Sequence, residues 1–150
     1  MAKKPIDAAV ADFAHSVGLL VRCVRAAAAS DELSMAESSV LRRLTKDGPA
    51  TTAELARVQG MRPQSMRPIL ATLEKLEMIT RKPHATDGRQ VNIHLTARGV
   101  AEQKSSGDAK QSWLEQAIAQ LDADERKTLF VAGKIMKRLA RAAIPKDGRL

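Results

Sequence analysis

The side chains best able to do chemistry are scattered along this sequence. His15, His84 and His94 lie far apart, and their spacing from one another and from Cys23 matches no metal-binding motif. No set of serine, histidine and aspartate, no carboxylate pair and no phosphate-binding loop can be placed. We therefore predict that the protein is not an enzyme and that it uses no metal or cofactor.

Cys23 is the only cysteine, so it cannot form an intramolecular disulfide. Arg22 and Arg25 flank it, and cations near a thiol favour the reactive thiolate. A redox sensor is therefore one hypothesis, but we favour a buried and unreactive thiol. A lone cysteine fits a reducing compartment, and no signal peptide or long apolar stretch is apparent. We expect a bacterial cytoplasmic protein.

Positive charge is the chemistry that the sequence does concentrate. The net charge is +8, and Arg57, Arg62 and Arg67 lie between Leu55 and Leu73 without any acid. Such a surface attracts phosphates by releasing counterions, although a solvated basic face has the same composition. Aromatic residues make up only 2% of the chain, which gives little support to stacking on single-stranded nucleic acid.

Helices must carry most of these residues. Two segments at the ends of the chain have apolar residues spaced alternately by four and three, the pattern of a helix that packs on another helix. We predict that they pack together around a twofold axis, with Pro145 ending the second one. Their members are Ile6, Val10, Phe13, Val17, Leu20, Val24 and Ala27 in the first, and Leu129, Gly133, Met136, Ala140 and Ala143 in the last.

Between these ends, capping signals predict three short helices. Ser34 with Glu37 and Thr51 with Glu54 form two capping boxes. The first helix stops at Gly48-Pro49, the second ends near Gly60, and a third buries one apolar face made of Met66, Ile69, Leu70, Leu73 and Leu76. Thr96, and Asp122 with Glu125, then predict caps for two further helices, with Gly107 as a point of bending or fraying.

A β-hairpin follows the three short helices. Residues 91–95 alternate apolar and polar residues, the period of a half-buried strand, and Asp87-Gly88 is a strong hairpin signal. The fold class is therefore mainly α, a winged helix-turn-helix of three helices and a hairpin wing, flanked by dimerisation helices. We predict an N-terminal dimerisation helix in 1–32, the DNA-binding region in 33–98 and C-terminal dimerisation helices in 99–150.

Residues 33–99 resemble the MarR family of bacterial transcription regulators. The resemblance rests on the order and spacing of five pieces: Gly48-Pro49, Glu54-Leu55-Ala56, Leu73-Glu74-Lys75-Leu76, Asp87-Gly88-Arg89, and Leu95-Thr96 with Gly99. It implies a homodimer that binds double-stranded DNA at a pseudo-palindromic operator, usually as a repressor. It also implies release by a small aromatic or anionic effector.

The resemblance assigns the DNA contacts to two elements. Arg89, at the wing tip formed with Asp87 and Gly88, would enter the minor groove, whose negative potential attracts a guanidinium. The helix from about Arg62 would be the recognition helix. Its outward residues Gln64, Arg67, Pro68 and Ala71 would face the major groove, while Arg62 and Ser65 suit phosphates.

Pro68 allows two positions for the start of this helix. If Pro63 is the first helical residue, Pro68 lies in the interior and removes a hydrogen bond to the Gln64 carbonyl. If Ser65 caps the helix, Pro68 falls in the first turn, where the missing N–H matters little. We favour the longer helix with a local distortion.

Other roles remain open at this stage. Thr51, Thr52, Arg81 and Lys82 are candidate phosphate contacts, although capping competes for Thr51 and a salt bridge for Arg81. Position alone suggests His15, Leu19 and Arg22 for the effector pocket. The alternative functions are a winged-helix module for protein association or nonspecific nucleic-acid binding, and a thiol redox sensor through Cys23. The family's peroxide sensors support their cysteine with tyrosines, and this sequence has none.

Overall fold

The computed structural model of the chain describes residues 3–84 and 86–143, and this part is mainly helical with one small antiparallel sheet. The predicted fold, a winged helix-turn-helix with helical extensions, is confirmed. The helices are α1 (Lys3–Ala27), α2 (Met35–Asp47), α3 (Thr52–Val58), α4 (Pro63–Lys75), α5 (Ala97–Ala119) and α6 (Ala123–Ala143), and the strands are β1 (Ala50–Thr51), β2 (Ile79–Pro83) and β3 (Val91–Leu95).

The chain divides into two units, Met1–Trp113 and Leu114–Leu150. The division falls within α5, so the three regions expected from the sequence remain a prediction. Pro145, expected to end the last helix, lies outside the described residues. Gly107 does not interrupt α5, because the helix runs without a break from Ala97 to Ala119. The fraying expected there is absent.

Both predicted capping boxes are present. The Ser34 hydroxyl accepts a hydrogen bond from the Glu37 N–H, and the Glu37 carboxylate accepts one from the Ser34 N–H at 2.6 Å. Thr51 and Glu54 repeat this pattern at the start of α3. These reciprocal bonds satisfy N–H groups that have no partner inside the helix, so they fix where α2 and α3 begin.

The hydrophobic core lies in the winged helix. Its fully buried side chains come from α2, α3, α4, the sheet and the residue before β2, and the largest are Leu41, Leu55, Met66, Leu70, Leu73, Met78 and Ile93. The predicted inward face of α4 is confirmed, with Ile69 and Leu76 packed at the edge of this core. This packing holds the outward face of α4 in a defined orientation.

The sheet has three strands in the order β1-β3-β2, all antiparallel. The hairpin pairing runs from Ile79 opposite Leu95 to Pro83 opposite Val91. The third strand, β1, was not predicted from the sequence, and it pairs Ala50 with Ile93. Residue 93 is therefore held from both sides at the centre of the sheet.

A tight joint connects the end of α4, the start of β2 and the start of α5. Glu77 adopts a left-handed backbone with φ 56°, and the Thr96 hydroxyl donates to its carbonyl at 2.5 Å. The same hydroxyl accepts from the Gly99 N–H at 3.1 Å, which confirms Thr96 as the cap of α5. Gly99 lies directly against the Met78 carbonyl, where a Cβ would overlap the oxygen.

The apolar seam of α1 is largely unburied in the single chain. Ile6 is 66% exposed and Val10 59% exposed, while Val17, Val24 and Ala27 are half-buried. In α6, the seam residues Leu129 and Met136 are half-buried and Ala140 is exposed, and Phe130 and Leu139 beside the seam are exposed as well. The seams have the helical form that their spacing predicted, and each retains apolar surface that one chain does not cover.

Candidate nucleic-acid interface

The start of α4 is an exposed polar surface on a rigid support. Pro63 is its first residue and Arg62 its N-cap, and the Arg62 side chain makes no capping hydrogen bond. All six residues proposed for this element are exposed, as their positions opposite the buried face predict. They are Arg62, Gln64, Ser65, Arg67, Pro68 and Ala71.

Pro68 lies inside α4, so the longer of the two alternative helices is correct. Proline has no backbone N–H and cannot donate to the carbonyl four residues earlier, which belongs to Gln64. The helix continues to Lys75 in spite of this loss, because Met66, Leu70 and Leu73 anchor its other face in the core. Tertiary packing thus offsets a local penalty of about 3 kcal/mol.

The wing carries Arg89 on a structured loop rather than on a two-residue turn. Residues 84–90 connect β2 to β3, and the His84 N–H donates to the Gln90 carbonyl at 2.8 Å. Asp87 begins a four-residue turn, since the Gln90 N–H donates to its carbonyl at 3.0 Å. The predicted hairpin is therefore confirmed, but the chain reverses over a longer loop than Asp87-Gly88 alone indicates.

Asp87 positions the backbone of Arg89 and leaves its side chain unpaired. The Asp87 carboxylate accepts a hydrogen bond from the Arg89 N–H at 3.1 Å, the usual way in which aspartate stabilises a turn. Among the described residues, the ion pairs join Arg43 to Asp47, Arg81 to Glu74 and Arg98 to Glu32. The exposed guanidinium of Arg89 is therefore available to an external anion.

His84 organises the other half of the loop, a role that its sequence gave no reason to expect. Its Nδ1 accepts from the N–H groups of Thr86 and Asp87, both at 3.3 Å. Two backbone donors on one nitrogen require Nδ1 to be unprotonated. An imidazole that accepts from nearby amides has no spacing signature, so sequence reasoning could treat His84 only as a possible metal ligand.

The base of the wing is joined to the recognition-helix candidate by an ion pair. Arg81 Nε lies 3.0 Å from a Glu74 carboxylate oxygen, and both side chains are partly exposed. Of the two alternatives for Arg81, the salt bridge is therefore formed. Lys82, next along β2, is exposed and takes part in none of the three described ion pairs.

At the start of α3, the Thr51 hydroxyl is occupied by the cap. It accepts from the Glu54 N–H and donates to the Glu54 carboxylate at 3.0 Å, so capping is its role here. Thr52 is half-buried, and its hydroxyl has no hydrogen-bond partner among the described residues. The hydrogen bond from the Thr51 N–H is the main cause that holds the pKa of Glu54 below its ordinary value. Partial burial opposes this shift, while the hydrogen bond from the Thr51 hydroxyl and the nearby charge of Arg57 lower the pKa further.

The arginines of the basic stretch between Leu55 and Leu73 form no ion pair in the described part of the folded chain. Arg57, Arg62 and Arg67 are all exposed, and none of them belongs to an ion pair of the described chain. A solvated basic face would have the same appearance in one chain, but here the cations coincide with the exposed start of a helix-turn-helix. That arrangement suits binding to the phosphates and base edges of duplex DNA.

The residues suggested for an effector pocket all lie on α1. His15, Leu19 and Arg22 are exposed and share one face of the helix by their spacing of four and three. Cys23 is also exposed, so the expectation of a buried thiol is wrong for the single chain. Within residues 3–84 and 86–143, no cluster of histidine, cysteine or carboxylate side chains could hold a metal ion. No helix of the same residues is long and apolar enough to cross a membrane.

Comparison with known proteins identifies the relatives of this arrangement. The profile of the MarR family matches residues 33–91, from two residues before α2 to the first residue of β3. An HTH-type transcriptional regulator of Mycobacterium bovis is 34% identical over 128 residues, which cover 85% of this chain and 90% of the relative. An HTH-type transcriptional repressor of Mycobacterium tuberculosis is 30% identical over 122 residues, covering 81% and 88%.

The fold has equally clear counterparts. The crystal structure of a transcriptional regulator from Pseudomonas aeruginosa superimposes with a TM-score of 0.79 and 29% identity. The match covers 93% of this chain and 99% of that chain. The likeness therefore extends beyond the winged helix into both terminal helical regions.

Proposed function

From the premise that the chain belongs to the MarR family of DNA-binding transcription regulators, we propose that it is a homodimeric repressor released from its operator by a small molecule. The observation that carries this proposal is the presence of unpaired, exposed arginines at the start of α4 and at the wing tip. These are the two elements that a winged helix-turn-helix presents to duplex DNA.

The recognition helix reads the major groove and the wing reads the minor groove. Gln64 and Arg67 are exposed on α4, and their side chains are complementary to adenine and guanine respectively. Arg89 enters the adjacent minor groove from a loop whose backbone Asp87 and His84 already hold. Phosphate contacts come from Arg62, Ser65, Thr52 and Lys82. Arg81 also contacts a phosphate and keeps its salt bridge to Glu74.

Two chains are needed to form the complete DNA-binding surface. The seam of α1 leaves Ile6, Val10 and Phe13 between 48% and 66% exposed, and burial of such residues strongly favours association. A twofold dimer places its recognition helices in successive major grooves, about 34 Å apart, so the operator is an inverted repeat.

The name of one relative supports repression, and the position of the seam supports a mechanism of release. A relative with 30% identity is named a transcriptional repressor, and we extend that mode to this protein, acting in the bacterial cytoplasm. An aromatic or anionic effector bound near His15, Leu19 and Arg22 would favour a dimer whose recognition helices no longer match the groove spacing. Release then requires only that the effector bind this second state more tightly.

Selection from random duplexes tests the proposal directly. The purified protein is mixed with a pool of random duplexes, washed at near-physiological salt, and the retained sequences are read. An inverted repeat with half-sites about one helical turn apart is the expected result. Retention that falls steeply with salt and enriches no sequence would instead assign the protein to nonspecific nucleic-acid binding.

Light scattering tests the dimer with a matched pair of variants. The wild-type particle should have twice the chain mass of 16.3 kDa. Val10→Glu places a charge in the seam and should yield monomers, whereas Ala11→Glu, one residue away on the outer side of the helix, should leave the dimer intact. A wild-type monomer, or equal effects of the two substitutions, would contradict the seam.

A further inference from the structure

The recognition helix contains a backbone acceptor that a regular helix would not expose. Pro68 is the sixth residue of α4, and in an uninterrupted helix the N–H of residue 68 would donate to the Gln64 carbonyl. Proline has no N–H, so that carbonyl lacks its helical partner. Pro63 has no such effect, because the first N–H groups of a helix have no intrahelical partner.

This carbonyl lies on the outward side of α4. Gln64 and Pro68, one turn apart, are both exposed, while Met66 and Leu70 between and beyond them are fully buried. No side chain of residues 3–84 and 86–143 donates to the Gln64 carbonyl; the nearby Thr72 hydroxyl donates to the Pro68 carbonyl at 3.1 Å instead. Water satisfies an acceptor in this position while the protein is free, and DNA must supply a donor once the face is dehydrated.

The major groove offers that donor on only two bases. A carbonyl oxygen accepts and cannot donate, so phosphates, guanine N7 and O6 and thymine O4 are unsuitable partners. The amino groups of adenine and cytosine are the hydrogen-bond donors on that edge. We propose that the Gln64 backbone carbonyl, freed by Pro68, selects a base with an amino group at one position of each half-site. This inference rests on the proposed function of α4 as the recognition helix.

Two proline variants of the same helix provide the test. Pro68→Ala restores an N–H opposite the Gln64 carbonyl, and Pro63→Ala is the matched control because it restores an N–H at a position without a helical acceptor. Each protein is first shown to retain its helix content and dimer mass, and each is then taken through the same selection from random duplexes. Wild type and Pro63→Ala should fix adenine or cytosine at one position per half-site, and Pro68→Ala should relax that position alone.

Base analogues then identify the atom that is read. In the selected operator, purine replaces adenine, or 2-pyrimidinone replaces cytosine, which removes only the amino group. Wild type should lose affinity by roughly threefold to tenfold per half-site, the range of one hydrogen bond, and Pro68→Ala should lose much less. Replacing thymine by uracil should affect both proteins equally.

Three outcomes would overturn the inference, and they differ from failure of the proposed function. Identical selected sequences for wild type and Pro68→Ala would show that the freed carbonyl reads nothing. If wild type and Pro68→Ala lose equal affinity on the operator without the amino group, the freed carbonyl again contacts no base. A difference that follows the thymine methyl group would assign the effect to the Pro68 ring. If wild type itself enriches no inverted repeat, the proposed function fails before these comparisons begin.

Discussion

Replacing Gly99 by alanine should destabilise the protein through one backbone contact. The new Cβ would overlap the Met78 carbonyl oxygen and would also lie 3.0 Å from Leu95 Cδ2 and 3.1 Å from the Met78 carbonyl carbon. Ordinary contacts begin at about 3.4 Å, and a backbone carbonyl cannot rotate away as a flexible side chain can. The first turn of α5 must therefore move away from the start of β2.

The size of the effect follows from what this movement disrupts. Overpacking costs about 1–3 kcal/mol, and the displaced turn also carries the hydrogen bonds from Thr96 to the carbonyls of Glu77 and Met78. A typical hydrogen bond contributes about 0.5–1.5 kcal/mol. We expect Gly99→Ala to lower the free energy of unfolding by about 2–4 kcal/mol.

A second glycine of the same helix provides a control with the opposite expected effect on stability. A Cβ at Gly107 would meet nothing within 4 Å, so Gly107→Ala should stabilise α5 by about 0.5–1 kcal/mol, the usual gain for alanine in a helix interior. Urea unfolding followed by circular dichroism measures both variants, at one chain concentration because the stability of the proposed dimer depends on it. A Gly99→Ala protein as stable as wild type would refute the close approach of α5 to Met78.

Three further predictions concern the wing, the cap of α3 and the thiol. Arg89→Ala should weaken binding to the selected operator and reduce the slope of log affinity against log salt by about 0.9 per wing. Arg89→Lys should weaken binding but keep the slope, and Arg126→Ala on α6 should change neither quantity. An unchanged salt titration for Arg89→Ala would show that the wing does not contact DNA. Because the pKa of Glu54 is lowered in the folded chain, its carboxylate contributes stability that is present above the ordinary value of 4.5 and is lost as the pH falls through the lowered value. Glu54→Gln should therefore show less loss of stability than wild type on acidification, and parallel unfolding curves would contradict this role. Cys23→Ser should respond to the effector as wild type does and should bind DNA equally with and without peroxide; release of the wild type alone by peroxide would support the redox alternative.

Local chemistry explains why much of the fold could be predicted from the sequence. A capping box satisfies its N–H groups within four residues, so Ser34 with Glu37 and Thr51 with Glu54 marked the starts of α2 and α3 without reference to the rest of the chain. The inward face of α4 followed equally from helical spacing. Arg89 could be placed on a loop because Asp-Gly favours chain reversal.

The features that were missed have no recognisable pattern in the sequence. Strand β1 is only two residues long and exists because Ala50 meets Ile93, a pairing that no local pattern of two residues can reveal. The acceptor role of His84 depends on how residues 84–90 fold back on themselves. Gly107 illustrates the converse, because a glycine that lowers helix propensity does not break a helix of 23 residues.

The central position of β3 has a mechanical consequence. Strand β1 leads directly into α3, β2 begins four residues after the end of α4, and both strands are bonded to β3. The chain between Thr51 and Ile79 is thus a closed loop whose two ends are fastened to the same strand, with Arg81 and Glu74 as a further tie. Strand pairing and the buried side chains Met66, Leu70 and Leu73 therefore both resist a change in the angle between α4 and the wing. In the proposed dimer, an effector is therefore expected to move each winged helix as a rigid body, altering distances between the two protomers while distances inside each winged helix stay constant.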